Sequence, residues 1–155
     1  MILFHGSNEV VQRPMILISD YTKDFSWGFY TTEIFEQAEK WARRRAINGG
    51  IPVVNRYEYT PGEGLSLLSF SETNDDWLDF VVKCRNSKIV PHQYDIVSGP
   101  MADDQIWNQL EQFSRGEIDR DQFMALCRFL HPTQQTSFHT ANALLTLRYL
   151  GSEEV

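Results

Sequence analysis

The sequence predicts a single α+β domain, and three observations carry that prediction. Short strand-like runs occur early, in the middle and late in the chain, and helical patterns separate some of them without alternating regularly. No G-x-G-x-x-G follows a strand and no P-loop is present, so neither common nucleotide cradle of a doubly wound parallel sheet is found. The length of 155 residues suits one domain with a core of its own.

MILFH (1–5) reads as a short buried strand that stops at Gly6-Ser7. ILI (16–18) is a weak strand, and WGFYT (27–31) is aromatic and β-prone. A helix is expected over 33–46. Thr32 is its expected N-cap, Glu33 and Glu36 sit in the first turn, Ile34, Ala38, Trp41 and Ala42 share a face, and Arg43–Arg45 complement the last turn before Asn48-Gly49-Gly50. VVNRYEY (53–59) alternates like a half-exposed strand, Pro61-Gly62 turns the chain, and LSLLSF (65–70) is a further strand. Residues 75–86 form a helix with Trp77, Phe80, Val81 and Cys84 inward, opened by a capping box of Thr73 and Asp76. YDIVS (94–98) is strand, closed by Gly99-Pro100. Residues 103–130 give two short helices broken at Ser114-Arg115-Gly116. QQTSFH (134–139) is strand, and 141–150 is expected to be a final helix with Ala143, Leu144, Leu147 and Leu150 inward.

Charge is unevenly placed. The chain carries −7 overall; residues 1–60 hold seven acids and seven bases, so the whole deficit lies after residue 60. An acidic chain is a poor non-specific binder of nucleic acid, and the neutral first third is where an anionic ligand is to be sought. A helix-turn-helix reading of 103–130 fails on charge, with six acids against three bases. The apolar runs are short, MILFHGSN lacks a basic n-region, and the two cysteines, Cys84 and Cys127, have no metal-type spacing. These features suggest a cytoplasmic protein with no membrane span, no bound metal and two buried thiols.

Three pieces offer chemistry. Leu3-Phe4-His5-Gly6-Ser7 ends a strand with an imidazole beside a glycine that a ligand can approach closely. Taken alone, His5 is as well read as a hydrogen-bonded structural residue. Tyr30 in Gly28-Phe29-Tyr30-Thr31-Thr32 and Trp41 in the next helix are either two walls for a flat ring or ordinary core aromatics. Gln134-Gln135 opens the strand Gln134–His139, an unusual start for a strand and equally that of an exposed edge.

In this order the three pieces resemble the ADP-ribosyltransferase superfamily, the class of diphtheria-type toxins and poly(ADP-ribose) polymerases marked by His, Tyr and Glu on three strands. LFHGS resembles its first-strand motif, GFYTT with QAEKWA its tyrosine strand and following helix, and QQTSFHTANALLTLRYL its third strand. The resemblance is closer still to a small bacterial family of unknown function within the superfamily, where YDIVSGPMADD also looks familiar. The matching blocks span roughly half of the chain. The resemblance implies split antiparallel sheets with flanking helices and a helical hairpin inserted at about 103–130.

It also implies NAD as co-substrate. His5 would hold a ribose hydroxyl, the Gly6 backbone would pair with the nicotinamide carboxamide beside Ser7, and Tyr30 and Trp41 would enclose the nicotinamide ring. Ala38 stands where the polymerases have a serine that bonds the carboxamide. Gln135 stands in the Glu position, so it keeps a hydrogen bond and loses a charge that would face an oxocarbenium-like transition state. The resemblance thus implies a mono-ADP-ribosyltransferase with Tyr30, His5 and Gln135 catalytic, a macromolecular acceptor (protein or nucleic acid), and Asp103 or Asp104 as the substitute acid. On this reading Gln135→Glu would raise NAD hydrolysis. A small stand-alone transferase further resembles the toxin of a toxin–antitoxin or phage-defence pair, with an antitoxin protein as partner. NAD glycohydrolysis, an inactive NAD-binding or protein-interaction module, and RNA 2′-phosphotransfer are the rivals; the last needs an Arg/His set that the sequence lacks.

Overall fold

In the computed structural model, residues 1–102, 104–127 and 133–155 are described. The elements run β1 (Ile2–Ser7), β2 (Phe29–Thr31), α1 (Phe35–Ala46), β3 (Val53–Tyr59), β4 (Leu67–Ser69), α2 (Asp75–Arg85), β5 (Ile96–Gly99), α3 (Asp104–Ser114), α4 (Arg120–Cys127), β6 (Gln135–Phe138), α5 (Ala141–Leu144) and β7 (Leu147–Glu154). The class is α+β. One sheet has the order β1-β3-β7 and is antiparallel throughout; the other has the order β2-β6-β5-β4, and its β4–β5 pair is parallel. The expectation of wholly antiparallel sheets fails at that one pair, where α2 supplies the crossover that parallel strands require.

The two sheets meet at a single bridge, where Phe4 and Thr32 exchange both backbone hydrogen bonds at 2.7 and 2.9 Å. Beyond it the strands part. Side chains alternate along β1: Phe4 packs edge-on to Phe35 of α1, whereas Leu3 lies with Phe29 and Tyr57 on the opposite face. α1 lies directly on β1 because its contact face is Ala38 and Ala42, both fully buried, against Gly6. A second core forms where α2 brings Trp77, Leu78 and Val81 against Phe25, Val97 and the α3–α4 hairpin residues Leu110 and Phe123. Gly116, at φ 75°, makes the break in that hairpin.

Several local expectations need correction. Thr32 does not cap α1; the N-cap is Ile34, without a side-chain bond, and Thr32 Oγ1 instead accepts the Ile34 N–H at 3.1 Å before the helix starts. α2 is capped by Asn74, whose Oδ1 accepts from the Trp77 N–H at 2.9 Å, in place of the Thr73–Asp76 box. On α2 Leu78 is fully buried, whereas Phe80 is only partly so and packs on Phe70. Residues 16–18 form no strand, and Leu17 and Ile18 stand in solvent.

The helix expected over 141–150 is the largest error. Thr140 caps only one turn, and Thr146 closes it through Oγ1 to the Ala143 carbonyl at 2.6 Å. The chain then runs as β7 along β3, pairing from Tyr59↔Leu147 to Val53↔Glu154 with a bulge at Arg56/Tyr57. β3 has a free edge on that side, and its unpaired N–H and C=O groups outweigh the helical spacing of four apolar residues.

Candidate functional site

A cavity of about 580 Å³ opens where β1 and β2 diverge, lined by His5, Ser7, Tyr30, Arg13, Lys23 and Arg45 among others. Glu9 is the one carboxylate in its wall against those three cations. In a chain of net charge −7, this makes the cavity a local positive site.

His5 Nδ1 lies 2.7 Å from the Tyr30 carbonyl. A carbonyl only accepts, so the proton is on Nδ1 and the bare Nε2 lone pair is left to accept from a ligand. Burial pulls the His5 pKa down to about 4, despite that hydrogen bond, and Lys23 and Arg45 lower it further. The imidazole is therefore neutral at pH 7 and stacks on Phe29 at 4.2 Å between centroids.

The bond to His5 has a second effect. The Phe4–Thr32 exchange fixes Phe4 as a residue whose backbone groups point away from β3. Gly6, two residues on, points the same way, toward the backbone of Tyr30. The Tyr30 carbonyl is taken by His5, so among the described residues nothing pairs with the inward N–H and C=O of Gly6. One donor and one acceptor, side by side, match a carboxamide.

Tyr30 is held rigidly. Its hydroxyl donates to the Ser26 carbonyl at 2.6 Å and accepts from the Phe25 N–H at 3.0 Å. Burial, then the nearby Asp24 carboxylate, drives its pKa well above the ordinary phenol value, so it is not a proton donor or nucleophile near neutrality. Ser26 pays for this geometry with φ 76°, in the left-handed region. What Tyr30 offers the cavity is its ring, and Lys23 Nζ stands 4.6 Å from that ring's centroid. Desolvation, with Arg45 adding to it, brings the Lys23 pKa down to about 8.

Trp41 is not the second wall of the cavity. It lies on the α1 side of β1, its Cβ against Gly6, whereas His5 and Ser7 face the cavity from the other side of the strand. Gly6 itself is required by packing: a Cβ there would come 2.0 Å from the Ala38 carbonyl oxygen and 2.7 Å from the Ala42 nitrogen.

Gln135 is on the face of β6 that Tyr30 presents on β2, two residues from the pair Tyr30↔Ser137. It does not line the cavity, and it is only 3% exposed. Its Nε2 donates to Asp24 Oδ2 at 2.9 Å and lies 3.4 Å from the Pro100 carbonyl. Asp24 also accepts from Arg85 and, at 2.8 Å, from the Ala102 N–H. Arg85 in turn stacks on Trp107 at 3.4 Å. The acid that reaches Gln135 is thus Asp24, which the sequence reading missed. Asp103 lies outside the described residues, and nothing is described of the Asp104 side chain at the start of α3. The neighbouring residues Lys23 and Asp24 link the two places: Lys23 lines the cavity and Asp24 holds Gln135.

His139 bridges the Trp27 carbonyl at 2.8 Å and Ser137 Oγ at 2.7 Å, and burial lowers its pKa to about 4. Glu58 pairs with Arg148 on the surface. Cys84 and Cys127 are both buried, and burial pushes the Cys84 thiol up to about 12. Among the described residues no cluster of His, Cys, Asp or Glu is placed to hold a metal ion, and no helix is long and apolar enough to cross a membrane.

Three depressed imidazoles, His5, His92 and His139, make stability fall in acid, and the larger shifts of His5 and His139 set most of the loss. An unfolded histidine takes a proton near pH 6.5, and folded His5 and His139 resist until about pH 4. The unfolded state binds more protons in that window, so stability is full above 6.5 and lost as pH falls toward 4. Each imidazole is expected to cost about 2–3 kcal/mol between pH 7 and 4.5. Urea unfolding at the two pH values measures this, and His139→Gln should reduce the difference by about 2–3 kcal/mol. A pH-independent unfolding free energy would contradict the burial argument.

The chain belongs to the family described as "Protein of unknown function (DUF3990)", whose model matches residues 1–149. Neither the curated proteins nor the solved structures contain a match.

Proposed function

We infer that this member of a family without an assigned activity is a mono-ADP-ribosyltransferase, which takes NAD, releases nicotinamide and passes ADP-ribose to a macromolecular acceptor. The observation that carries the reading is the divergence of β1 and β2: an unpaired Gly6 backbone edge and a neutral imidazole acceptor adjoin a cavity that also holds the Tyr30 ring and three cations. A carboxamide, a ribose hydroxyl, a flat ring and a pyrophosphate are the complementary groups, and NAD carries all four.

The protein's part is to bind and orient. The Gly6 N–H and C=O would take the carboxamide, His5 Nε2 would accept a ribose hydroxyl, and Lys23, Arg45 and Arg13 would draw the pyrophosphate. Arginine is fitted to this by its planar fork of donors. Cleavage of the C–N glycosidic bond then leaves positive charge on the ribose, next to acceptor atoms rather than donors. Incubating the protein with labelled NAD and a cell lysate, followed by separate protease and nuclease digestion, tests the reading. Label that enters macromolecules supports it; nicotinamide release without labelling means glycohydrolysis; no release overturns both. His5→Ala is expected to weaken NAD binding on the order of tenfold, as loss of one buried hydrogen bond would.

One observation favours a second reading, an NAD-binding module without turnover. Lys23 Nζ occupies the face of Tyr30 on which a pyridinium would stack. In the transferase reading Lys23 swings to the pyrophosphate. Lys23→Ala should then weaken NAD binding roughly fivefold at pH 7. Wild-type binding should decline as pH rises through about 8, where Lys23 loses its charge. Tighter binding by Lys23→Ala, or binding that improves above pH 8, would show that Lys23 competes with the ligand.

A further inference from the structure

The pair Asp24–Gln135 solves a problem the amide creates. A glutamine can turn either its NH2 or its oxygen toward a ligand, and the two look alike to the packing around it. Here the choice is forced. The Asp24 carboxylate is fixed by Arg85 and by the Ala102 N–H and can only accept, so Nε2 must face it. The second amide proton points to the Pro100 carbonyl. Oε1 is left over. Among the described residues nothing hydrogen-bonds it, and it is not one of the sealed partnerless atoms, which are Ser26 Oγ, Arg85 Nη1 and Gln109 Oε1.

We propose that Asp24 is a positioning residue that makes Gln135 an obligate hydrogen-bond acceptor, so that this position takes a ligand hydroxyl and refuses a ligand acceptor. The proposal rests on the transferase reading for the identity of that hydroxyl, which is a ribose hydroxyl of an NAD reaching past the cavity wall, since Gln135 lies outside that wall. Asp24 acts through orientation, because its charge is matched by the Arg85 guanidinium at the same carboxylate. The substitution that the sequence suggested as a gain, Gln135→Glu, becomes a loss: it sets a second carboxylate against the first, where one must take a proton.

A charge swap tests this. Asp24→Asn, Gln135→Glu and the double variant Asp24→Asn/Gln135→Glu are compared for urea unfolding and for nicotinamide release, with kcat and KM followed from about pH 5.5 to 8.5. Asp24→Asn frees the amide to turn, and kcat is expected to fall on the order of a hundredfold with KM little changed. Gln135→Glu should be stable and active only toward the acid end, because a carboxyl whose pKa is raised by folding favours the folded state below that pKa. The double variant sets an amide N–H at position 24 against a carboxylate at position 135 but takes the acceptor from the Ala102 N–H, which shares Asp24 Oδ2 with Gln135, so it should recover part of the stability and turnover that Gln135→Glu loses at neutral pH. Partial recovery of both supports the proposal. A double variant that shows only the summed losses of its parents overturns it. If the wild type releases no nicotinamide, the transferase reading falls, and the stability half of the cycle decides the orientation alone.

Discussion

Asp24→Ala is expected to lower the unfolding free energy by about 3–5 kcal/mol, the cost of breaking a buried ion pair from one side. The carboxylate is 4% exposed and serves three donors: the Arg85 guanidinium, the Ala102 N–H and the Gln135 amide. Alanine strands all three. Arg85 suffers most, since its side chain is 12% exposed and among the described residues its Nη1 already has no hydrogen-bond partner. The change also loosens the segment between Thr22 and Tyr30. Thr22 Oγ1 is bonded to the Arg85 carbonyl at 2.8 Å, and Phe25 is fully buried in the larger core. Urea denaturation at pH 7 measures the loss, and a value below about 1 kcal/mol would mean that water replaces the carboxylate and that the network is a surface feature.

Gly6→Ala should be nearly as damaging. The new methyl would meet the Ala38 carbonyl oxygen at 2.0 Å, the Ala42 nitrogen at 2.7 Å and Trp41 Cβ at 2.9 Å. Two of these are helix backbone atoms, which no rotamer change can move, so α1 must lift from β1. Overpacking costs about 1–3 kcal/mol where side chains yield, and the upper end or beyond is expected where they do not. A fall in Tm of roughly 10 °C follows for a domain of this size. Trp41 and the Gly6 backbone would shift together, so amide chemical shifts along Ala38–Ala42 should move with those of His5. A melting temperature unchanged within a few degrees would show that the α1–β1 distance is soft, and would remove packing as the reason for glycine at this position.

These two positions also show how sequence and structure divide the site. Gly6 was legible as a place of close approach, since it has no Cβ, but the sequence suggested a ligand as what approaches. What approaches, an alanine face of α1, was not legible. His5 and Tyr30 were legible as a pair by motif, and the bond between them depends on β1 and β2 parting after one bridge. Trp41 was misplaced because its spacing from Tyr30 says nothing about which side of β1 the helix takes. Asp24 carried no local signal, since its two principal partners are 61 and 111 residues away.

Periodicity and chain-breaking residues by themselves set the class of the fold, the positions of β1, α1, β3 and α2, and the break in the α3–α4 hairpin, because those signals act within a few residues. Only the tertiary structure decided that the chain after Leu144 becomes β7, since the open edge of β3 supplies hydrogen bonds that a local pattern cannot foresee. It alone gathered Arg13, Lys23 and Arg45 around one cavity and set a carboxylate against Gln135. Hydrogen-bond complementarity and charge balance are met between segments far apart in the chain, so they are properties of the folded molecule and leave no periodic trace in its sequence.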